Sequence, residues 1–156
     1  MRYSRPRPAW QFIAGALALA VAVNGLLFVL DLRGGDAGQR SRADFPLLPP
    51  AWVIGAVWTV LLSAMAYVQS RVLRRTQEPA LQWLVPILFA NCLLYPVYTA
   101  GFTSELRGLV GNLLTFALSA YVAGRVHSIT RLGSALLGLV VAWSGFATFA
   151  TFRLPD

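Results

Sequence analysis

Five long stretches of this 156-residue chain contain no charged residue, and short polar connections separate them. The stretches cover residues 10–30, 45–70, 79–104, 108–124 and 132–152. An α-helix needs roughly 20 apolar residues to cross about 30 Å of hydrocarbon, and each stretch is close to or above that length. In water such helices would lack a polar face. The pattern therefore predicts an all-α integral membrane protein, a five-transmembrane-helix bundle.

Prolines, glycines and charged residues indicate where the helices begin and end. We expect helices at about residues 10–30, 51–68, 81–99, 109–123 and 132–152, in a single domain that spans residues 1–156. The later connections are short, so successive helices should pack as antiparallel neighbours. Pro86 and Pro96 predict a kink or a local opening in the third helix. The first stretch is longer than the apolar region of a signal peptide, about 7–15 residues, so we interpret it as a retained helix.

The distribution of charge predicts an orientation in the membrane. Charged residues make up 12% of the chain, and all 13 basic residues are arginines. Eight of them precede the first helix or follow the second and fourth, whereas five lie on the opposite side. Because basic connections stay in the cytoplasm, this asymmetry predicts a cytoplasmic N-terminus. The net charge of +7 is explained by basic connections beside anionic lipid, so we expect the lipid bilayer as a partner and no nucleic acid.

Catalytic and metal-binding residues are missing from the predicted helices. They contain no acid, lysine or histidine, which are the groups that pumps and proton-coupled carriers place within the membrane. The lone cysteine, Cys92, leaves no intrachain disulfide and no thiolate cluster for a metal. We therefore predict a protein that is not an enzyme and needs no obligatory cofactor.

Aromatic and uncharged polar residues recur at helical spacing on three of the predicted helices. Residues at i, i+3, i+4 and i+7 share one face of a helix. The three faces consist of Trp58, Leu61, Leu62 and Met65; of Asn91, Leu94, Tyr95 and Tyr98; and of Trp143, Phe146, Ala147 and Ala150. Together they could line one apolar cavity for a flat, hydrophobic ligand. Alternatively the faces simply pack together, with Asn91 as an interhelical hydrogen-bonding residue.

Three motifs in order resemble the translocator protein family, also called tryptophan-rich sensory proteins or TspO/MBR. The first is PPAWVIGAVWTVLLSAM at residues 49–65, with its proline pair and its two tryptophans six residues apart. The second is Asn91 followed by Pro96 and Val97, and the third is Trp143 followed by Phe-Ala-Thr at residues 146–148. The resemblance covers nearly the whole chain. The chain departs from the family pattern at Leu62, where a Tyr is usual, and at Leu94, where a Trp is usual.

The resemblance implies a five-helix bundle whose cavity binds a tetrapyrrole such as protoporphyrin IX or haem. Trp58 and Asn91 match positions that hydrogen-bond ligand carbonyls, whereas Trp143, Phe146 and Ala147 match the cavity wall. The connection at about residues 33–48 matches a lid in the family. We infer from charge that its arginines could pair with the propionates of a porphyrin. In some members the family binds sterols, but the C-terminal motif for them lacks its Tyr here.

We therefore predict a receptor or carrier for a hydrophobic planar ligand, in a bacterial-type membrane. One alternative is porphyrin oxidation assisted by Trp58 and Trp143, an activity proposed for the family. A second alternative is a structural bundle with no ligand, and a pocket too small for a tetrapyrrole would favour it. Family members often form homodimers, and small residues such as Gly15 and Gly55 would permit close helix approach.

Overall fold

Five α-helices form the whole of the regular structure in the part of the chain that the computed structural model describes, residues 8–29, 49–100 and 105–152. They are α1 (Ala9–Val29), α2 (Ala51–Arg75), α3 (Pro79–Ala100), α4 (Glu105–His127) and α5 (Arg131–Phe152). Four of them carry apolar segments long enough to cross a membrane, and α3 carries a shorter one at Pro79–Tyr95. The predicted all-α membrane bundle is confirmed. The predicted lid, residues 33–48, lies outside the described residues.

Helices α2 and α4 are longer than the apolar pattern predicts. We expected α2 to end near Val68, but it continues to Arg75, and α4 continues to His127 rather than ending near residue 123. The basic residues Arg74 and Arg75 occupy the last turn of α2, where a positive charge interacts favourably with the helix dipole. Hydropathy marks the apolar stretch, whereas the helical backbone extends past it.

Helix α3 is assigned continuously through both of its prolines, and the predicted kink or local opening stays a prediction. Pro86 has no N–H, and the carbonyl of Gln82 therefore lacks its usual donor four residues further on. The side chain of Gln69 on α2 fills that role, because its Nε2 donates to Gln82 O at 3.0 Å. A neighbouring helix thus satisfies the carbonyl that the proline frees, as is common in membrane helices.

The helices pack mainly with their neighbours in sequence, as expected. The α4–α5 pair has the most extensive contact, α1 lies along α2, and α3 contacts both α2 and α4. Contact between α2 and α5 completes the bundle, whereas α1 touches α3 only slightly. Helix α1 is therefore attached to the outside of a four-helix unit, chiefly through α2.

The tightly packed core lies in one half of the bundle, which we call the closed end. This half contains the short connections at residues 76–78 and 128–130. Because lipid is as apolar as these side chains, close packing rather than the hydrophobic effect stabilises the contacts. The fully buried core residues are Met65, Val68, Val72, Leu88, Val122, Val126, Leu137 and Val140. The opposite half, where α2 begins and α5 ends, we call the open end.

Polar contacts join the two connections at the closed end. The guanidinium of Arg75 donates to Ile129 O at 3.0 Å. Arg125 forms a salt bridge with Glu78 at 2.8 Å, with both side chains nearly half exposed. Such a bridge contributes at most about 1 kcal/mol. These contacts link the end of α2 to the start of α5 and the end of α4 to the start of α3.

Candidate functional site

An apolar groove runs between α2 and α5 at the open end of the bundle. Its volume is about 640 Å³, within the range of about 300–1,000 Å³ that is usual for small-molecule sites. Pro49, two residues before α2, forms part of its wall. The groove is wide and open on one side. The lining residues are Pro49, Ala56, Val57, Val60, Leu61, Leu139, Ala142, Trp143 and Phe146.

Small side chains on both helices create the space for the groove. Ala56 on α2 and Ala142 on α5 lie in its walls, and neither side chain reaches far toward the opposite helix. In the closed half, by contrast, the larger side chains of Met65, Leu137 and Val140 are fully buried. Ala56 and Ala142 thus lie nearer the open end than these fully buried residues.

Two aromatic rings form the α5 side of the groove. Trp143 and Phe146 follow each other at i and i+3, and their ring centroids are 5.7 Å apart at an interplanar angle of 37°. Tilted pairs at 4.5–7 Å are favourable, at about 0.5–1.5 kcal/mol beyond the area they bury. Trp143 is half-buried and Phe146 is 36% exposed, so both rings present surface to the groove. Leu61, buried on α2, lies in the same lining.

The remaining predicted site residues lie outside the lining of the groove. Leu62 is buried in the core, and Leu94 on α3 is 48% exposed. Ala147 is half-buried on α5. Trp58 packs on Tyr95 of α3, with ring centroids 6.4 Å apart at 33°. The structure thus brings Leu61, Trp143 and Phe146 together, and it places Trp58 at the seam between α2 and α3.

Two side-chain hydrogen bonds connect α3 to α4 at the open end. Asn91 Nδ2 donates to Thr115 Oγ1 at 2.9 Å, and the Thr115 hydroxyl donates to Gly111 O at 2.9 Å. Tyr95 donates its hydroxyl to Asn112 Oδ1 at 2.7 Å. Both α4 partners are buried. The amide of Asn91 therefore takes part in an interhelical contact, as the packing interpretation expects.

Asn112 and Thr115 are not among the residues that the sequence predicts for the site. None of the three motifs falls on α4, so that helix contributed no candidate. A signal was available, because the two residues are uncharged polar groups three positions apart within an apolar span, and such groups usually face a neighbouring helix.

The chemistry of the groove is that of a binding site for an apolar molecule. Its described walls carry no titratable side chain, and the indole N–H of Trp143 is their one side-chain hydrogen-bond donor. No group of three metal-ligating residues occurs among the described residues. The arrangement can hold a flat apolar ligand through dispersion and ring contacts, and it offers nothing for acid–base chemistry.

The sequence of the chain is similar to that of known proteins from one family. The model of the TspO/MBR family matches residues 17–155. The chain is similar to a translocator protein of Bos taurus, with 28% identity over 153 residues that cover 94% of this chain and 90% of the relative. A translocator protein of Ovis aries is 26% identical over 153 residues, with the same coverage. No solved structure matches the chain significantly.

Proposed function

Because the chain belongs to the TspO/MBR family, we propose that it is a membrane receptor or carrier for a hydrophobic planar ligand, with a tetrapyrrole such as protoporphyrin IX or haem as the ligand class. The observation that carries this proposal is the groove of about 640 Å³ between α2 and α5. Its walls are apolar, and two rings line one side. The bovine and ovine relatives carry the name translocator protein.

The groove supports a specific division of roles among its residues. Trp143 and Phe146 provide ring faces on which a planar macrocycle can stack, at about 0.5–1.5 kcal/mol for each aromatic contact. Leu61 provides an apolar surface on the opposite wall. The macrocycle carries acidic edges, and arginines 33, 40 and 42 of the connection before Pro49 have the charge to pair with them.

A titration of the detergent-purified protein with protoporphyrin IX tests this proposal through quenching of tryptophan fluorescence. We expect saturable quenching that weakens about tenfold in Ala142→Phe, because the added ring occupies the groove. Ala135→Phe is the matched control, since Ala135 is an exposed residue of the same helix that does not line the groove. Equal, non-saturating quenching in all three proteins would contradict the proposal and would favour the structural bundle.

The same titration tests two further predicted site residues, and an absorbance measurement tests the alternative activity. Trp58→Phe and Asn91→Ala weaken quenching only if the ligand extends from the groove to the α2–α3 seam. Porphyrin oxidation remains the second candidate because Trp143 borders the groove, where an excited porphyrin would be in contact with its ring. Loss of porphyrin absorbance that needs both light and dissolved dioxygen, the oxidant, and that slows in Trp143→Phe would support this second candidate.

A further inference from the structure

Positive charge is in excess at the closed end of the bundle. The described residues there include a single acid, Glu78, which pairs with Arg125. Arg75 donates to the backbone oxygen of Ile129, so its charge has no carboxylate partner among the described residues. The arginines at this end are Arg71, Arg74, Arg75, Arg125 and Arg131. One carboxylate for these arginines leaves a surface that attracts anions.

Arg71 differs from the other arginines because it is half-buried and still has no partner in the described part of the chain. Its Nε is buried without a hydrogen bond, and it is the one guanidinium nitrogen of Arg71 that is enclosed in this way. The two terminal nitrogens therefore reach the surface of the bundle. A guanidinium that is partly removed from water without a counter-charge is unfavourable, so an anion at its accessible edge would stabilise it.

Helical spacing places Arg71 in the seam between α2 and α5. Val57 and Val60 of α2 line the groove, and Arg71 follows them after about four and about three turns, on the same face. On α5, Leu139 lines the groove, and Leu132 lies about two turns before it on the same face. Leu132 is 57% exposed. The closed end of this seam thus combines a guanidinium with an exposed apolar side chain.

Trp83 marks the depth of this part of the seam in the membrane. It is 67% exposed and lies four residues after the start of α3 at Pro79. Arg71 lies four residues before the end of α2 at Arg75. Both are about 6 Å inside the helix ends, at roughly 1.5 Å per residue. Exposed tryptophans lie at the boundary between headgroups and hydrocarbon, so Arg71 is within reach of the lipid phosphates.

We propose that Arg71 binds the headgroup phosphate of an anionic phospholipid, whose acyl chains lie over Leu132 in the seam between α2 and α5. The two terminal nitrogens of the guanidinium match two oxygens of one phosphate. Arg75, one turn further on α2, adds to the local positive charge. Choline cancels the charge of a phosphate, so the site prefers phosphatidylglycerol to phosphatidylcholine. It is independent of the ligand proposed for the groove.

Native mass spectrometry of the full-length protein in detergent tests the site. The probes are phosphatidylglycerol and phosphatidylcholine with identical acyl chains, and the measurement is the dissociation constant of the first bound lipid. We expect phosphatidylglycerol to bind about fivefold more tightly, the factor of one arginine at an anionic surface. Arg71→Gln should remove this preference. Arg71→Lys keeps the charge and should retain the preference, which separates loss of charge from a general effect of substitution.

Arg131→Gln is the matched control. It removes the same charge at the same end, from an exposed residue that has no carboxylate partner among the described residues. Arg131 lies about 100° around α5 from Leu132, and the preference should persist in this variant. An equal loss in Arg71→Gln and Arg131→Gln would show that the lipid responds to overall charge, and would overturn the proposal. Equal binding of the two lipids, or displacement of the lipid by inorganic phosphate, would overturn it as well.

Discussion

Asn91 donates a hydrogen bond to a neighbouring helix, and this contact limits what its amide can offer a ligand. One N–H is directed at Thr115, which in turn donates to the backbone of α4. A ligand carbonyl at Asn91 would have to use the second N–H or displace Thr115. The role that the family resemblance gives to Asn91 is therefore linked to the packing of α3 against α4.

The contact between Asn91 and Thr115 should contribute measurably to stability. We expect a double-mutant cycle of Asn91→Leu and Thr115→Val to give a coupling free energy of about 0.6 kcal/mol and at most about 1.7 kcal/mol, the average and the maximum measured for interhelical hydrogen bonds in a membrane protein. Reversible unfolding in mixed detergent micelles provides the measurement. Thr115→Ser keeps the hydroxyl and should retain the coupling. A coupling near zero would show that the bond does not hold the two helices together.

Single residues show what spacing along a helix can and cannot predict. Trp143 and Phe146 were predicted to share a face, and they do line one groove together with Leu61. Trp58 lies on a second face that could line the same cavity; its ring packs on Tyr95, a residue of the third face, and it lies outside the lining of the groove. Spacing determines which residues share a face, whereas the neighbouring helix that each face meets depends on the packing of the whole bundle.

At the level of the helices, the start of α5 packs closely against its neighbours at Gly133. Thr130 precedes the helix, and its Oγ1 accepts a hydrogen bond from Gly133 N at 3.2 Å. A Cβ atom on Gly133 would lie 2.5 Å from Thr130 Cγ2 and 3.2 Å from a methyl of Val126. Glycine is thus required here for packing, because no side chain fits between these neighbours.

Gly133→Ala should therefore destabilise the bundle by about 1–3 kcal/mol, the usual effect of overpacking a filled core. Gly138→Ala on the same helix is the control, since a Cβ atom there meets nothing within 4 Å. Thermal unfolding followed by circular dichroism compares the two variants. A Gly133→Ala protein as stable as Gly138→Ala would mean that the start of α5 shifts freely.

Across the whole molecule, the family and the five-helix plan follow from the sequence, since three motifs and five apolar stretches suffice for both. The resemblance to the TspO/MBR family is confirmed by the match to residues 17–155. The division of the bundle into a closed and an open end is not visible in hydropathy, because alanines and valines count as apolar in both halves. It depends on which side chains interlock.

The orientation of the bundle remains a prediction, in which the closed end with Arg74, Arg75, Arg125 and Arg131 faces the cytoplasm. The exposed residue Ser128 lies at this end, and Pro50, also exposed, lies at the open end. In spheroplasts of a bacterial host, we expect a membrane-impermeant maleimide to modify Pro50→Cys but not Ser128→Cys, both made on Cys92→Ser. Permeabilised cells should give both products. The reverse pattern would place the N-terminus outside.

Because the bundle is filled at one end and grooved at the other, a tilt of α2 about its buried half would move the wall of the groove far more than the core. The part of α2 that lines the groove, Ala56 to Leu61, lies within about 15 Å of the core at roughly 1.5 Å per residue. Over that length, a tilt of about 5° would move the tip of the helix by about 1.3 Å, whereas contacts in its buried half would hardly change. Such a tilt would widen the groove while the interlocked half keeps its packing.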